Sequence, residues 1–243
     1  LAYKADLVEL QINKPFVQGS VVINDAAFSY VPRNLNFKNT SIILKFTDKD
    51  LFINNLRLQS GKSVVNMEGT VKNFLNLYYT DPQKIVLNWD IKSPQLHLGE
   101  FFSFLSSRKK VVKKTKSSKT TFSDDLETAF SKSRVNMNLS VDKVYYNKFL
   151  ATDARANLSL SEDGIAISDV RVNHAGGSLY LNGSLKQEGE SNLFKMKANI
   201  KNVNIKQFFY AFNNFGLTTL TSENLKGYLF SKTEVSGRLS KNG

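Results

Sequence analysis

Apolar and polar residues alternate with a period of two along most of this chain, the signature of a strand with one buried and one wetted face. The clearest cases are Val135-Met137-Leu139-Val141, interleaved with Asn136, Asn138 and Ser140, and Phe194-Met196-Ala198-Ile200, interleaved with Lys195, Lys197 and Asn199. The same form recurs at Ile42-Leu44-Phe46, Val65-Met67-Gly69-Val71, Ile85-Leu87-Trp89-Ile91, Ala154-Ala156-Leu158-Leu160 and Leu179-Leu181-Gly183-Leu185. Turn-forming residues separate them: Asp48-Lys49-Asp50, Ser60-Gly61-Lys62, Asn147-Lys148, Glu162-Asp163-Gly164, Ala175-Gly176-Gly177 and Glu188-Gly189-Glu190. Connections this short predict antiparallel neighbours, and roughly a dozen strands at even spacing predict an all-β meander.

Helical spacing is confined to three places. Residues 98–105 carry Phe101, Phe102, Phe104 and Leu105; residues 123–132 open with a Ser-Asp-Asp start suited to an N-cap and put Leu126, Ala129 and Phe130 on one side. Residues 204–214 begin a helix in which Phe208, Phe209, Phe212 and Phe215 are spaced for one face, with Gly216 as C-cap. These few short helices cannot cover a sheet of a dozen strands. Residues 106–122, rich in Ser, Lys and Thr, read as a flexible linker.

The chain also repeats itself. Leu51, Ile53, Leu56-Arg57-Leu58, Gly69, Val71-Lys72 match Ile165, Ile167, Val170-Arg171-Val172, Gly183, Leu185-Lys186 at a constant offset of 114. Ile91-Lys92, then Phe101-Phe102, match Ile200-Lys201, then Phe208-Phe209, at offsets of 109 and 107. The organisation expected is a first β unit over 1–105, the basic linker 106–122, a helix and second β unit over 123–224, and the start of a further strand over 225–243. Repetition on this scale builds elongated assemblies.

Composition removes several classes of function. The 243 residues include no cysteine, so disulfides, thiolate metal sites and cysteine nucleophiles are excluded. No apolar run approaches the ~20 residues of a membrane helix. Opening on Leu1 without a signal peptide, the chain reads as a piece of a longer protein whose anchor lies elsewhere. Thirty-three basic against twenty-one acidic residues leave a net charge of +12. Seven of those excess charges sit at Arg108, Lys109, Lys110, Lys113, Lys114, Lys116 and Lys119, inside the linker. Such a run attracts anionic lipid, phosphate or nucleic acid. It lacks the interleaved aromatic rings on which single-stranded bases stack, so nucleic acid is not expected. The run reads first as a solvated tether, and as its second reading contacts an anionic membrane surface through Arg108, Lys109, Lys110, Lys113 and Lys114.

Candidate chemistry is sparse. His97 and His174 have no ligand-type partner three or four residues away and read as solvated or capping side chains. The carboxylates fall mostly in turns, and no nucleophile elbow, dinucleotide fingerprint or phosphate loop occurs. No catalytic residue, metal or cofactor is expected. What stands out is the sheet itself. At roughly 25 cal/mol per Å², its apolar face must close on itself or meet an apolar guest.

The order of an Asp-Gly turn, Ile165-x-Ile167-x-Asp169-Val170-x-Val172, a Gly-Gly corner, Leu179-x-Leu181-x-Gly183-x-Leu185, Phe194-x-Met196-x-Ala198-x-Ile200 and an aromatic helix resembles the AsmA family of Gram-negative bacteria. Leu225-Lys226-Gly227 and Val235-Ser236-Gly237 are similar to the opening of that family's next repeat. The resemblance implies an inner-membrane-anchored periplasmic protein built like TamB and the chorein-type bridge proteins. Its elongated, curved antiparallel sheet would form an apolar groove for phospholipid acyl chains, supporting lipid transport between the inner and outer membranes and outer-membrane biogenesis. The lining expected is Leu87, Trp89, Val135, Met137, Leu139, Val141, Leu179, Leu181, Phe194 and Met196. A different class stays open beside it: a structural or protein-interaction β module, closed as a sandwich, with no lipid.

Overall fold

A computed structural model describes residues 2–6, 11–16, 18–30, 34–77, 84–101, 132–188 and 191–240. The fold is all-β, as the alternation predicts. Strands β1 (Ala2–Asp6) and β2 (Gln11–Phe16) pair as a hairpin of their own. One large sheet holds the rest: β3 (Gly19–Tyr30), β4 (Leu35–Phe46), β5 (Leu51–Ser60), β6 (Ser63–Lys72), β7 (Val86–His97), β8 (Arg134–Tyr146), β9 (Phe149–Ser161), β10 (Gly164–His174), β11 (Gly177–Glu188), β12 (Ser191–Asn204) and β13 (Tyr228–Ser240). These eleven strands lie in chain order from edge to edge. The sheet is curved and open, with β3 and β13 as its two edges, so the strands do not close into a sandwich.

One junction departs from the antiparallel expectation. β7 and β8 pair in parallel, Leu87 beside Val135 and Ile91 beside Leu139. The connection across residues 98–133 allows this, because a parallel pair needs a crossover of a dozen or more residues, where a tight turn would force the antiparallel arrangement. The expected linker (106–122), and the expected helix over 123–132 up to residue 131, lie outside the described residues.

Keeping one face apolar across eleven strands demands a correction that simple alternation does not supply. In β5 the apolar positions Leu51 and Ile53 change phase to Leu56 and Leu58; in β10, Ile165 and Ile167 change to Val170 and Val172. Each phase change coincides with a β-bulge, where three residues on one strand span two on its partner. Ile53 faces Gly69 and Leu56 faces Met67; Ile167 faces Gly183 and Val170 faces Leu181. The extra residue restores the side chains that follow to the apolar face. At each bulge an Asn or Asp takes a left-handed conformation, Asn55 at φ 52° and Asp169 at φ 54°. Asp25, Asn39, Asp153 and Asn202 do the same in β3, β4, β9 and β12. Asn and Asp tolerate this region because their short polar side chains bond locally, whereas β-branched residues meet the following carbonyl. Bulges bend the strands that carry them, which suits a curved sheet.

The bulges at Asn55 and Asp169, like those at Asn39 and Asp153, lie 114 residues apart, the spacing of the sequence repeat. Their cross-strand partners, Gly69 with Gly183 and Met67 with Leu181, share that spacing. The two units end differently. After β7 there is only a 3-10 turn, Leu98–Glu100, held to the β5–β6 hairpin by the Glu100 carboxylate, which accepts from Lys62 N, Ser63 N and Ser63 Oγ at 2.9, 3.2 and 2.6 Å. This replaces the helix expected from residue 98; residues 102–105 lie outside the described part. After β12 the expected helix is present as α1 (Ile205–Ala211), capped by Asn204, whose side chain accepts from Gln207 N.

The left-handed bulge residues give a direct test. Asn55→Gly should leave stability within about 0.5 kcal/mol, and Asn55→Val should cost about 1–3 kcal/mol, both read from urea unfolding curves.

Candidate functional site

Side chains of neighbouring strands stack into rows across the sheet, and the rows define the site. One row runs Phe46, Leu51, Val71, Leu87, Val135, Leu160, Ile165, Leu185 and Phe194, ending on Gly237. The next runs Val21, Leu44, Ile53, Gly69, Trp89, Met137, Leu158, Ile167, Gly183, Met196 and Val235, one residue from each of the eleven strands. No charged side chain interrupts either row. On the opposite face the middle strands present polar side chains that hydrogen-bond from strand to strand. Asn136 Nδ2 donates to Asn88 Oδ1 at 2.9 Å, Ser159 Oγ to Asn136 Oδ1 at 3.1 Å, and Asn138 Nδ2 to Asp90 Oδ1 at 2.8 Å.

Accessibility changes along the rows. In the middle strands Val135 is fully buried and Met137 is 5% exposed, within a cluster that includes Leu87, Ile91, Val141 and Leu160. Towards the edges the same rows reach solvent: Val21 is 42% exposed on β3, and Met196 and Val235 are each 39% exposed on β12 and β13. The apolar face is therefore sealed at its centre and open at both margins. Trp89 lies against Gly69, where an added Cβ would fall about 2.5 Å from the indole Cδ1. The small residue and the large ring are a complementary pair.

All ten residues expected to line an apolar face are brought to one face by the strand pairing. Leu87, Val135, Met137 and Val141 are buried; Trp89, Leu139, Leu179, Leu181 and Phe194 are half-buried; Met196 is exposed. Several members of the two rows, including Ile53, Leu158, Leu160, Ile167 and Val235, are not among the lining residues expected from the sequence. The signal that finds them is the register between strands. The five linker residues expected to meet an anionic surface, Arg108, Lys109, Lys110, Lys113 and Lys114, lie outside the described residues.

α1 closes one end of the face. Phe208 and Phe212 of this region pack with Phe149 of β9 and His174 of β10, with ring centroids 4.5 to 6.2 Å apart. His174 is therefore buried, which corrects the expectation of a solvated or capping histidine. Its Nδ1 lies 2.7 Å from the Leu150 carbonyl, and since that oxygen can only accept, Nδ1 carries the proton. Nε2 is buried without a hydrogen-bond partner. Desolvation lowers the pKa of His174 below its ordinary 6.5, against the Leu150 carbonyl, which favours the charged form. His97 stacks on Tyr145 of the parallel neighbour, with centroids 4.6 Å apart. Among the described residues no group of three His, Cys, Asp or Glu side chains can hold a metal ion, and no helix is long and apolar enough to cross a membrane.

The model of the AsmA family matches residues 8–222. No curated protein and no solved structure matches the chain.

Two outcomes follow from this packing. Gly69→Ala should cost about 1–3 kcal/mol in urea unfolding and shift the emission of Trp89, the chain's one tryptophan, because both the Asn88 carbonyl of the neighbouring strand and the indole ring must move. His174, with its folded pKa below the unfolded value, takes up a proton more readily once unfolded. Stability should thus fall as the pH drops from about 7 to about 5, and His174→Phe should remove that part of the slope, as measured by unfolding at both pH values.

Proposed function

The chain belongs to the AsmA family, and from that premise we propose that its apolar face is a groove that binds phospholipid acyl chains and passes them along the sheet. The observation that carries this reading is the second row: eleven strands in succession present an apolar side chain or glycine at one level, with no charge among them. A small ligand pocket needs a few strands, whereas a sheet-wide apolar track suits a long, flexible hydrocarbon. Contacts of Leu, Val, Met and Phe with acyl chains are non-directional, so selectivity among headgroups is weak. The chemistry is binding and transfer, with no covalent step.

In this reading the protein works in the periplasm of a Gram-negative cell as part of an inner-membrane-anchored bridge. It moves phospholipid between inner and outer membranes and supports outer-membrane biogenesis. The membrane components at its two ends are its partners, and the basic segment with Arg108, Lys109, Lys110, Lys113 and Lys114 draws it to anionic lipid. The β units over 1–105 and 123–224 act as successive lengths of one track, with 225–243 beginning another. Family membership and the open sheet support this assignment over the closed interaction module.

A photoreactive residue at Met196, whose side chain reaches solvent on the apolar face, should capture phospholipid in cells, while one at Lys197 on the polar face should not. Equal capture at both positions, or at neither, would contradict the groove. Met137→Asp is a poor blocking variant, because an unpaired charge at that buried position should destabilise the fold by several kcal/mol. Met196→Asp should leave the protein folded and reduce lipid in organic extracts, as measured by mass spectrometry.

A further inference from the structure

The two ends of the large sheet differ in chemistry. At one end lie the β4–β5 and β9–β10 turns, with Asp48, Asp50, Glu162, Asp163 and Lys49, and the starts of β7 and β8, which bring Lys84, Lys132 and Arg134. At the other end, where β5, β8, β10 and β12 finish, the β5–β6 and β8–β9 turns hold Lys62 and Lys148, with the Glu100 carboxylate bound against the β5–β6 turn. The same end carries α1 and the segment 212–227, with Lys206 in an ion pair with Glu223 at 2.8 Å and Lys226 beside them in sequence.

This end also exposes large apolar side chains. Tyr210, Phe215, Leu217 and Leu220 are 40% to 54% exposed on the cap, and Tyr228 and Phe230 are more exposed still at the start of β13. Lys148 Nζ lies 4.6 Å from the centre of the Tyr210 ring, so cation and aromatic edge occupy one surface. Phe215 is held there by an unusual backbone. Asn213, Asn214, Phe215 and Gly216 have consecutive positive φ angles of 50°, 53°, 54° and 74°. A bulky residue in this region is strained, and it persists only where its surroundings over-determine it. Here Asn214 supplies the restraint: its side-chain oxygen accepts from Ser222 N at 2.8 Å and its carbonyl from Leu217 N at 2.9 Å.

We propose that this capped end docks on the surface of an anionic phospholipid bilayer. Phe215, Leu217 and Leu220 enter the headgroup region, Tyr210 and Tyr228 sit at its level, and Lys148 and Lys226 reach the phosphates. Amphipathic rings, exposed aliphatic side chains and a fringe of lysines form the combination that partitions into such an interface. Docking does not depend on lipid in the groove, since the cap meets a membrane whether or not the apolar face is occupied.

Flotation of the intact chain with phosphatidylethanolamine–phosphatidylglycerol vesicles tests the idea, with phosphatidylcholine vesicles as the uncharged comparison. The chain should float with the anionic vesicles and much less with the neutral ones. Phe215→Ser with Leu217→Ser should weaken binding about tenfold, and Lys148→Glu several-fold. Leu220→Ser, away from the phenylalanine cluster, should weaken it in the same direction and guards against an effect of misfolding. Leu239→Ser, exposed near the opposite end of β13, should change nothing. The phospholipid content of organic extracts should be the same in the cap variants as in the wild type, which separates this surface from the groove. Equal flotation with both vesicle types, binding lost only when Lys109, Lys110, Lys113 and Lys114 become Gln, or no flotation at all would overturn the proposal.

Discussion

Everything in this sheet rests on register. Side chains on a strand alternate between faces, so a slip of one residue at any of the ten pairings would turn that strand's apolar set outward and break both rows. Unbroken alternation along every strand is the simplest way to meet this constraint. The chain instead spends one residue at intervals in a bulge and resumes the alternation in the opposite phase. Asn or Asp at φ near 50° is what makes the extra residue tolerable, and Asp25, Asn39, Asn55, Asp153, Asp169 and Asn202 all serve this way. Side chains at these positions also tie the polar face together: Asn157 donates to Asp169 and Asn173 to Asp153, each at 3.0 Å.

Much of this architecture was legible in the sequence because the period of two is a local property. The strand around Met137, the turn at Glu162-Asp163 and the 114-residue repeat needed only the order of residues. Other features depend on pairs of strands. The phase change at Asn54-Asn55 was visible as Ile53 followed by Leu56, yet its meaning as a bulge appears only once Gly69 and Met67 stand opposite. The parallel pairing of β7 and β8 follows from a connection long enough to cross back, and apolar spacing carries no direction. At residues 98–105 the phenylalanines suggested a helix, but Glu100 is held by the β5–β6 hairpin, where its carboxylate meets three donors, and only a 3-10 turn is described before residue 102.

The candidate site shows the same division. Reading along strands identified Met137, Trp89 and Met196 separately; reading across them places all three in one row. Pattern alone did not show that the row passes from sealed at Val135 and Met137 to open at Val21, Met196 and Val235. That gradient bears on function, because a face buried throughout has no room for a guest and one exposed throughout would not remain in water. His174 was misjudged for a related reason: a histidine beside two glycines looks like an exposed turn until Phe149 and Phe208 are brought over it from distant parts of the chain.

All three methionines of the chain, Met67, Met137 and Met196, lie on the apolar face, which provides a set of probes already in place. Labelling their methyl groups with carbon-13 and adding phospholipid spin-labelled on the acyl chain tests the central claim directly. Lipid lying along the rows should broaden Met196 strongly and Met67 measurably, with Met137, the most enclosed, affected least. Three methyl signals left unbroadened at saturating lipid, in a protein that stays folded by circular dichroism, would contradict the account.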